Sequence, residues 1–116
     1  MSLAKKLNLK DGMKLRVVGK PGDMKLGDVA TTTAAAAEAV LVFVKTRADV
    51  DAKGAPVVEA ARADRLAWFA YPKAAQLGTD LNRDLLVRQL EDRGIQPVRQ
   101  IALDDVWSAL RFRPGK

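Results

Sequence analysis

Three short apolar segments alternate with helix-like patterns along the first two thirds of the chain. Residues 13–19 (MKLRVVG) alternate between two faces and end at Gly19, which is typical of a strand. Residues 39–44 (AVLVFV) and 65–71 (RLAWFAY) are apolar at almost every position. Segments of this length that are apolar on both faces are typical of central strands covered on both sides.

Helical spacing is weaker and more often interrupted in the first half of the chain. Residues 2–9 predict a short helix, with Ser2 as its N-cap. Residues 47–63 predict one helical turn, a break, and a second helix that restarts near Pro56. Residues 28–39 combine threonines with an alanine run, so a strand and a helix both remain open for them.

The clearest helix is predicted over residues 80–93, where four leucines recur on one face. Thr79 or Asp80 is the expected N-cap, and Gly94 is the expected C-cap. The hydroxyl and carboxylate side chains at that start are the types that accept hydrogen bonds from free backbone N–H groups.

The chain is predicted to end in an antiparallel hairpin. Residues 98–103 and 107–113 are strand-like, and the acidic pair Asp104-Asp105 lies in the turn between them. Together with the preceding strands and helices, this order predicts an α/β fold. Right-handed crossovers would make the sheet mostly parallel, with an antiparallel C-terminal strand.

Composition narrows the chemistry that the chain can perform. The 116 residues contain no cysteine and no histidine, which excludes thiol catalysis, histidine-based triads and the usual zinc sites. Twenty basic against fourteen acidic residues give a net charge of +6, which favours anionic partners. No secretory signal is recognised and the apolar runs are too short to cross a bilayer, so a cytoplasmic location without a membrane partner is expected.

Several segments carry a resemblance to known proteins. LNLKDGMKLRVVG (7–19) resembles the opening of the class I methyltransferase fold, and DDVWSALRFRP (104–114) resembles its final antiparallel hairpin. The whole chain resembles a family of small uncharacterised bacterial proteins that share motifs at residues 7–13, 42–45, 72–81 and 105–111. The resemblance implies one Rossmann-like domain over residues 1–116, a three-layer sandwich, but it brings no activity with it.

The same comparison argues against a methyl-donor site. No acidic residue stands in the stretch before Gly19, where a binding motif for S-adenosylmethionine would have one. Roughly twenty residues separate Gly19 from the next apolar strand, which is too few for the strand–helix units expected there. We therefore expect no cofactor, and a degenerate methyltransferase is the third of three functional possibilities.

A lysine follows closely on each of the three predicted parallel strands, as Lys20, Lys45 and Lys73. The carboxyl ends of parallel strands share one edge of the sheet, where open α/β folds bind ligands. The helix expected to open at residues 79–80 would add backbone N–H donors there. The candidate ligand-binding residues are Gly19, Lys20, Lys45, Thr46, Lys73 and Thr79. The alternative is that these lysines are solvated and bind nothing.

These features predict a small binding module for a phosphate- or carboxylate-bearing ligand rather than an enzyme, because no active site is recognisable and no metal site is expected. The alternative is a structural or interaction protein that acts as a homo-oligomer, such as a homodimer, or with a protein partner, with Trp107 and the C-terminal strand at the contact. Trp107 could instead pack against a helix, and Trp68 is expected in the core. Nucleic acid is not favoured, because no aromatic residues interleave with Lys5, Lys6 and Lys10.

Overall fold

The computed structural model describes residues 3–22, 24, 26–27, 29–34, 37–73 and 76–115. Within that part, six strands form one sheet: β1 Leu15–Val18, β2 Thr31–Thr32, β3 Ala39–Phe43, β4 Leu66–Pro72, β5 Ile95–Ala102 and β6 Trp107–Pro114. The helices are α1 Leu3–Lys6, α2 Arg47–Lys53, α3 Ala55–Arg62 and α4 Arg83–Leu90, with 3₁₀ turns at Gln76–Gly78 and Glu91–Arg93. The predicted α/β class is confirmed, and so is the C-terminal hairpin.

The strand order is β2-β1-β3-β4-β6-β5. Neighbouring strands from β2 to β4 pair in parallel, whereas β6 pairs antiparallel with both β4 and β5. The sheet is therefore mixed, and its C-terminal part is antiparallel. The strands β1, β3 and β4 nevertheless end at one edge of the sheet, which we call the carboxyl edge.

The two faces of the sheet are covered differently. On one face α3 and α4 pack against Val40, Val42 and Phe69. On the other face the N-terminal segment and the side chains of Met24, Leu26 and Val29 cover the sheet. The indole Nε1 of Trp68 donates to the carbonyl oxygen of Leu7 at 3.2 Å. In the described residues of this covering layer the one helix is α1, with four residues, so a third layer of helices is not confirmed. Trp68 is a core residue, as predicted.

The predicted break between α2 and α3 falls at Gly54. Gly54 is buried, and a Cβ there would lie 2.9 Å from Cζ of Phe69, so no larger residue fits without movement. The helix predicted over residues 2–9 is shorter than expected, and its expected cap, Ser2, lies outside the described residues. The chain between Gly19 and β3 adopts strand at Thr31–Thr32.

The predicted helix in the C-terminal half is corrected in its bounds. The predicted helix 80–93 starts later, at Arg83, because Asn82 is its N-cap and accepts from the backbone N–H of Leu85 at 2.9 Å. It also ends earlier, at Leu90 with Glu91 as its C-cap, and the predicted C-cap Gly94 instead ends the 3₁₀ turn Glu91–Arg93 in the left-handed conformation. The last strand, β6, lies inside the sheet, and β5 forms the edge with Pro97 next to an irregularity in its pairing. Proline is tolerated there because an edge strand has unpaired positions.

Among the described residues, no helix is both long and apolar enough to span a bilayer.

Candidate functional site

The structure brings the three predicted lysines to the carboxyl edge but places them in three different surface depressions. The ammonium of Lys20 donates to the carbonyl oxygens of Pro21 and Met24, at 3.1 and 2.7 Å, and so closes its own loop. Lys45 and Lys73 line separate depressions on opposite faces of the sheet. A single site made by all three side chains is therefore not formed.

The first of these depressions, which we call the aromatic depression, has a volume of about 470 Å³. Its floor is formed by Phe43 and Trp107, whose rings meet edge to face with centroids 5.2 Å apart. Trp107 is 7% exposed and packs against this strand residue. The depression is also lined by Gly19, Lys45, Asp49, Lys53, Leu77 and Asp104.

Gly19 allows the end of β1 to lie against β3 at the floor of the aromatic depression. Its φ is +75°, and a Cβ at this position would stand 3.0 Å from the carbonyl oxygen of Phe43. Glycine meets both demands, since it adopts positive φ without a steric penalty. The ammonium of Lys53 lies 3.8 Å from the same Cβ position, so this cation stands directly beside the floor.

The N-terminus of α2 opens beside the aromatic depression, but the protein's own side chains fill it. Thr46 is the N-cap, and its hydroxyl accepts from the backbone N–H of Asp49 at 3.1 Å. The Asp49 carboxylate accepts in return from the N–H groups of Lys45 and Thr46. The hydrogen bond from Lys45 N–H is the main cause that lowers the pKa of Asp49 below its usual value. Thr46 therefore has a structural role in capping α2.

Asp80 and Thr79 complete this arrangement from the loop before α4. The Asp80 carboxylate accepts from the backbone N–H of Arg47 at 2.8 Å, and therefore caps α2 instead of α4. The Thr79 hydroxyl donates to the carbonyl oxygen of Lys45 at 2.5 Å and accepts from the N–H of Leu81 at 3.0 Å. Both side chains therefore hold the backbone in place. The hydroxyl of Thr79 already donates one hydrogen bond and accepts another within the protein.

Two basic and two acidic side chains line the aromatic depression, and the two kinds differ in what they contact. Asp104 accepts from two backbone N–H groups of its own turn, at 2.8 and 2.7 Å, and Asp49 is engaged in capping. Lys53 has only a distant ion pair with Asp49, at 3.9 Å, and the side chain of Lys45 has no partner among the described residues. The carboxylates are thus occupied, while both ammonium groups keep donors for a ligand.

A second depression, of about 870 Å³, lies on the helix-covered face, and we call it the tyrosine depression. It is lined by Tyr71, Lys73, Asn82, Arg83, Asp84, Gln100, Ile101, Ala102 and Ser108. Tyr71 is 3% exposed, and its hydroxyl has no hydrogen-bond partner among the described residues. Burial raises the pKa of Tyr71 above its usual value, so the hydroxyl keeps its proton at neutral pH.

Sequence reasoning missed Lys53, Tyr71 and Arg83 as site residues. Lys53 follows Asp49 by four positions, and this spacing on a helix predicts a shared face. Arg83 was missed because the start of α4 was placed three residues too early. No signal in the sequence separates Tyr71 from its buried neighbours in β4, because every residue of that strand is buried.

Among the described residues, no three histidine, cysteine or acidic side chains cluster as a metal site would require. Comparison with known proteins finds no family model and no curated protein that matches this chain.

Proposed function

We propose that this protein is a small binding module for an anionic ligand, a phosphate or a carboxylate, which it takes at the aromatic depression. The observation that carries the proposal is the pair of ammonium groups, Lys45 and Lys53, beside an apolar aromatic floor. Within the described part of the chain, neither ammonium forms a close ion pair. A phosphate or carboxylate oxygen would take the donors that the protein leaves open.

The composition of the depression also favours a ligand with an apolar body. Phe43 and Trp107 supply an aromatic floor, and Leu77 lies at the wall with 48% of its surface exposed. A volume of about 470 Å³ lies within the range of small-molecule sites. Charge-assisted hydrogen bonds to the anion would each contribute about 1.5–3 kcal/mol, and burial of the apolar body would add to this.

We also propose that the fold is a reduced Rossmann-like domain of the methyltransferase type. Its support is the position of β6, which runs opposite to its neighbours β4 and β5, as in the final hairpin that the resemblance implies. Binding at the carboxyl edge would agree with the general behaviour of open α/β sheets. A methyl-donor ligand is not favoured, because β2 is followed by Thr33 and Ala34 and not by an acid.

The test is a thermal-shift screen followed by calorimetry, with inorganic phosphate, phenyl phosphate, benzoate and S-adenosylmethionine as probes. A bound probe at a hundred times its Kd should add about 2.7 kcal/mol to the free energy of unfolding. The double variant Lys45→Ala/Lys53→Ala should lose most of the affinity for the anions. The matched control is Lys10→Ala/Lys14→Ala, which removes the same charge from residues outside the aromatic depression.

Equal affinity in both double variants would overturn the proposal, because binding would then follow net charge alone. Binding of S-adenosylmethionine in preference to the simple anions would support the degenerate methyltransferase instead. If no probe binds and scattering shows a concentration-dependent dimer, the interaction-protein alternative would replace it.

A further inference from the structure

The hydroxyl of Tyr71 is one of three buried side-chain polar atoms that have no hydrogen-bond partner in the described part of the chain. It stands near the carboxyl end of β4, is enclosed by neighbouring atoms, and neither donates nor accepts a hydrogen bond there. Buried polar groups are almost always hydrogen-bonded, so each exception calls for an explanation. Phenylalanine would fill the same volume without this unsatisfied group.

The surroundings of Tyr71 are polar on the side of the tyrosine depression. Its register partner in β6 is Ser108, which is only 6% exposed and brings a second hydroxyl to the same depression. The charges of Arg83 and Asp84 both influence the pKa of Tyr71, in opposite directions, so the phenol lies near the first turn of α4. Lys73, immediately after β4, lines the same depression. Two cations, one exposed acid and two hydroxyls therefore meet at this point.

The start of α4 adds backbone donors to this cluster. Asn82 caps the helix by accepting from the N–H of Leu85, which satisfies one of the free groups of the first turn. In the part of the chain that the structure describes, the backbone N–H groups of Arg83 and Asp84 have no acceptor. These groups and the positive end of the helix dipole favour an anion.

We propose that the tyrosine depression is a second ligand site, independent of the aromatic depression, and that it takes the anionic oxygen of a phosphate monoester or a carboxylate. The protonated hydroxyl of Tyr71 donates to that oxygen. Arg83 and Lys73 supply the compensating positive charge. The end of β5 adds apolar surface for the body of the ligand through Ala102, which pairs with Ser108 and so shares its face with Tyr71. Asp84 does not oppose this, because it is highly exposed and lies 3.6 Å from the guanidinium of Arg83.

The experiment uses the fact that Tyr71 is the only tyrosine in the chain. Protein labelled with ¹³C at Cζ of tyrosine gives one NMR signal, which reports directly on hydrogen bonding at this hydroxyl. Phenyl phosphate and benzoate are the probes, because they share an apolar body and differ in the anion. We expect a saturable shift of the signal with at least one of them, and the tighter probe identifies the preferred anion.

Tyr71→Phe keeps the volume of the side chain and should weaken calorimetric binding of that probe at this site about ten-fold, the equivalent of one hydrogen bond to a charged group. Arg83→Ala should also weaken it. Lys45→Ala/Lys53→Ala should leave the tyrosine signal and its titration unchanged. This last variant separates the two sites, since loss of binding at one depression leaves the other measurable.

No shift of the signal with either probe up to millimolar concentration would overturn the inference. So would equal affinity of the wild-type protein and Tyr71→Phe, provided that circular dichroism shows the variant to be folded. A shift that disappears in Lys45→Ala/Lys53→Ala would assign the binding to the aromatic depression and would also overturn the second site.

Discussion

Two depressions lie at the same edge of one sheet, each next to the start of a helix, and their helices are treated in opposite ways. At α2 the side chains of Asp80 and Thr46 already accept from the backbone N–H groups of Arg47 and Asp49, both in the first turn. At α4 only Asn82 does so among the described residues. The start of a helix can bind an external anion only through backbone N–H groups that no side chain of the protein already occupies.

The two depressions also differ in how rigidly they hold their donors. The aromatic depression offers two lysine ammonium groups on flexible stems, which must be ordered when a ligand binds. The tyrosine depression offers hydroxyls held in strands, and Tyr71 is buried to 3% exposure. We expect binding at the first to depend strongly on ionic strength, because it rests on exposed charge. The second should depend more on the geometry of the ligand.

The largest effect is expected from Trp107→Ala, which removes the floor of the aromatic depression. Trp107 is buried and packs against Phe43, so its truncation should lower the free energy of unfolding by about 3–5 kcal/mol. Urea unfolding followed by circular dichroism measures this loss. The control is Val98→Ala on the edge strand, where 46% of the side chain is exposed and the change should stay within about 0.5 kcal/mol.

A small loss of stability in Trp107→Ala, together with dissociation of an oligomer, would contradict this role. It would return Trp107 to the contact surface expected from sequence alone.

The sequence predicted the buried strands well, because their apolar runs leave few alternatives. Residues 39–44 and 65–71 correspond to β3 and β4, which are buried along their whole length. The break at Gly54 was also predictable, from glycine followed closely by proline. The covering of the second face was not, because the sequence of residues 20–34 has no strong periodicity, and Met24, Leu26 and Val29 are placed by long-range contacts with the sheet.

The candidate site was predicted only in its location. Parallel strands do bring Lys20, Lys45 and Lys73 to one edge, as their pairing requires. Each lysine lies in the loop after its strand, and the path of that loop decides which face of the sheet the side chain reaches. That path depends on tertiary contacts that the local sequence pattern does not reveal. Thr46, Thr79 and Asp80 were expected to serve a ligand or cap α4, yet they bind backbone groups brought close by folding.

The second prediction concerns Tyr71→Phe in the absence of ligand. Removal of an unsatisfied buried hydroxyl should raise the free energy of unfolding by about 1–3 kcal/mol. The gain should grow at alkaline pH. The pKa of Tyr71 is raised in the folded protein, so the wild type loses stability as pH rises above the ordinary value of 10.0 and the unfolded chain ionises first. Phenylalanine cannot lose this contribution.

Urea unfolding of both proteins at pH 7 and pH 10.5 measures the difference, and the background from lysine titration cancels between them. A variant less stable than the wild type at pH 7 would indicate that the hydroxyl has a partner in solution. That result would weaken the case for the tyrosine depression.

The third prediction addresses the filled helix start. Asp49→Ala should lower the free energy of unfolding by about 1 kcal/mol at pH 7, because the capping box of α2 is lost. The pKa of Asp49 is lowered in the folded protein, so its contribution is present above the ordinary value of 3.8 and is lost as pH falls below it. The difference between wild type and variant should therefore shrink in acid.

Asp105→Ala is the control, because Asp105 lies exposed in the β5–β6 turn and accepts no hydrogen bond from the described residues. It should change stability little at either pH. A loss in Asp49→Ala that stays constant down to pH 2.5 would show that the carboxylate charge is not what stabilises α2.

The smallest effect on stability is expected from Leu77→Gly, at the wall of the aromatic depression. Leu77 has a φ of 55°, a left-handed conformation that costs a side-chain-bearing residue roughly 1–2 kcal/mol. Glycine removes this strain but gains freedom in the unfolded chain, so the net change should be under about 1 kcal/mol.

If the exposed leucine serves the apolar body of a ligand, the affinity for phenyl phosphate at this site should fall while that for inorganic phosphate stays the same. Leu77→Asn is the matched control, since asparagine tolerates the left-handed region but offers no apolar surface, and it should show the same loss. Equal affinity for phenyl phosphate in all three proteins would mean that the strained leucine takes no part in binding, and that the aromatic depression recognises charge alone.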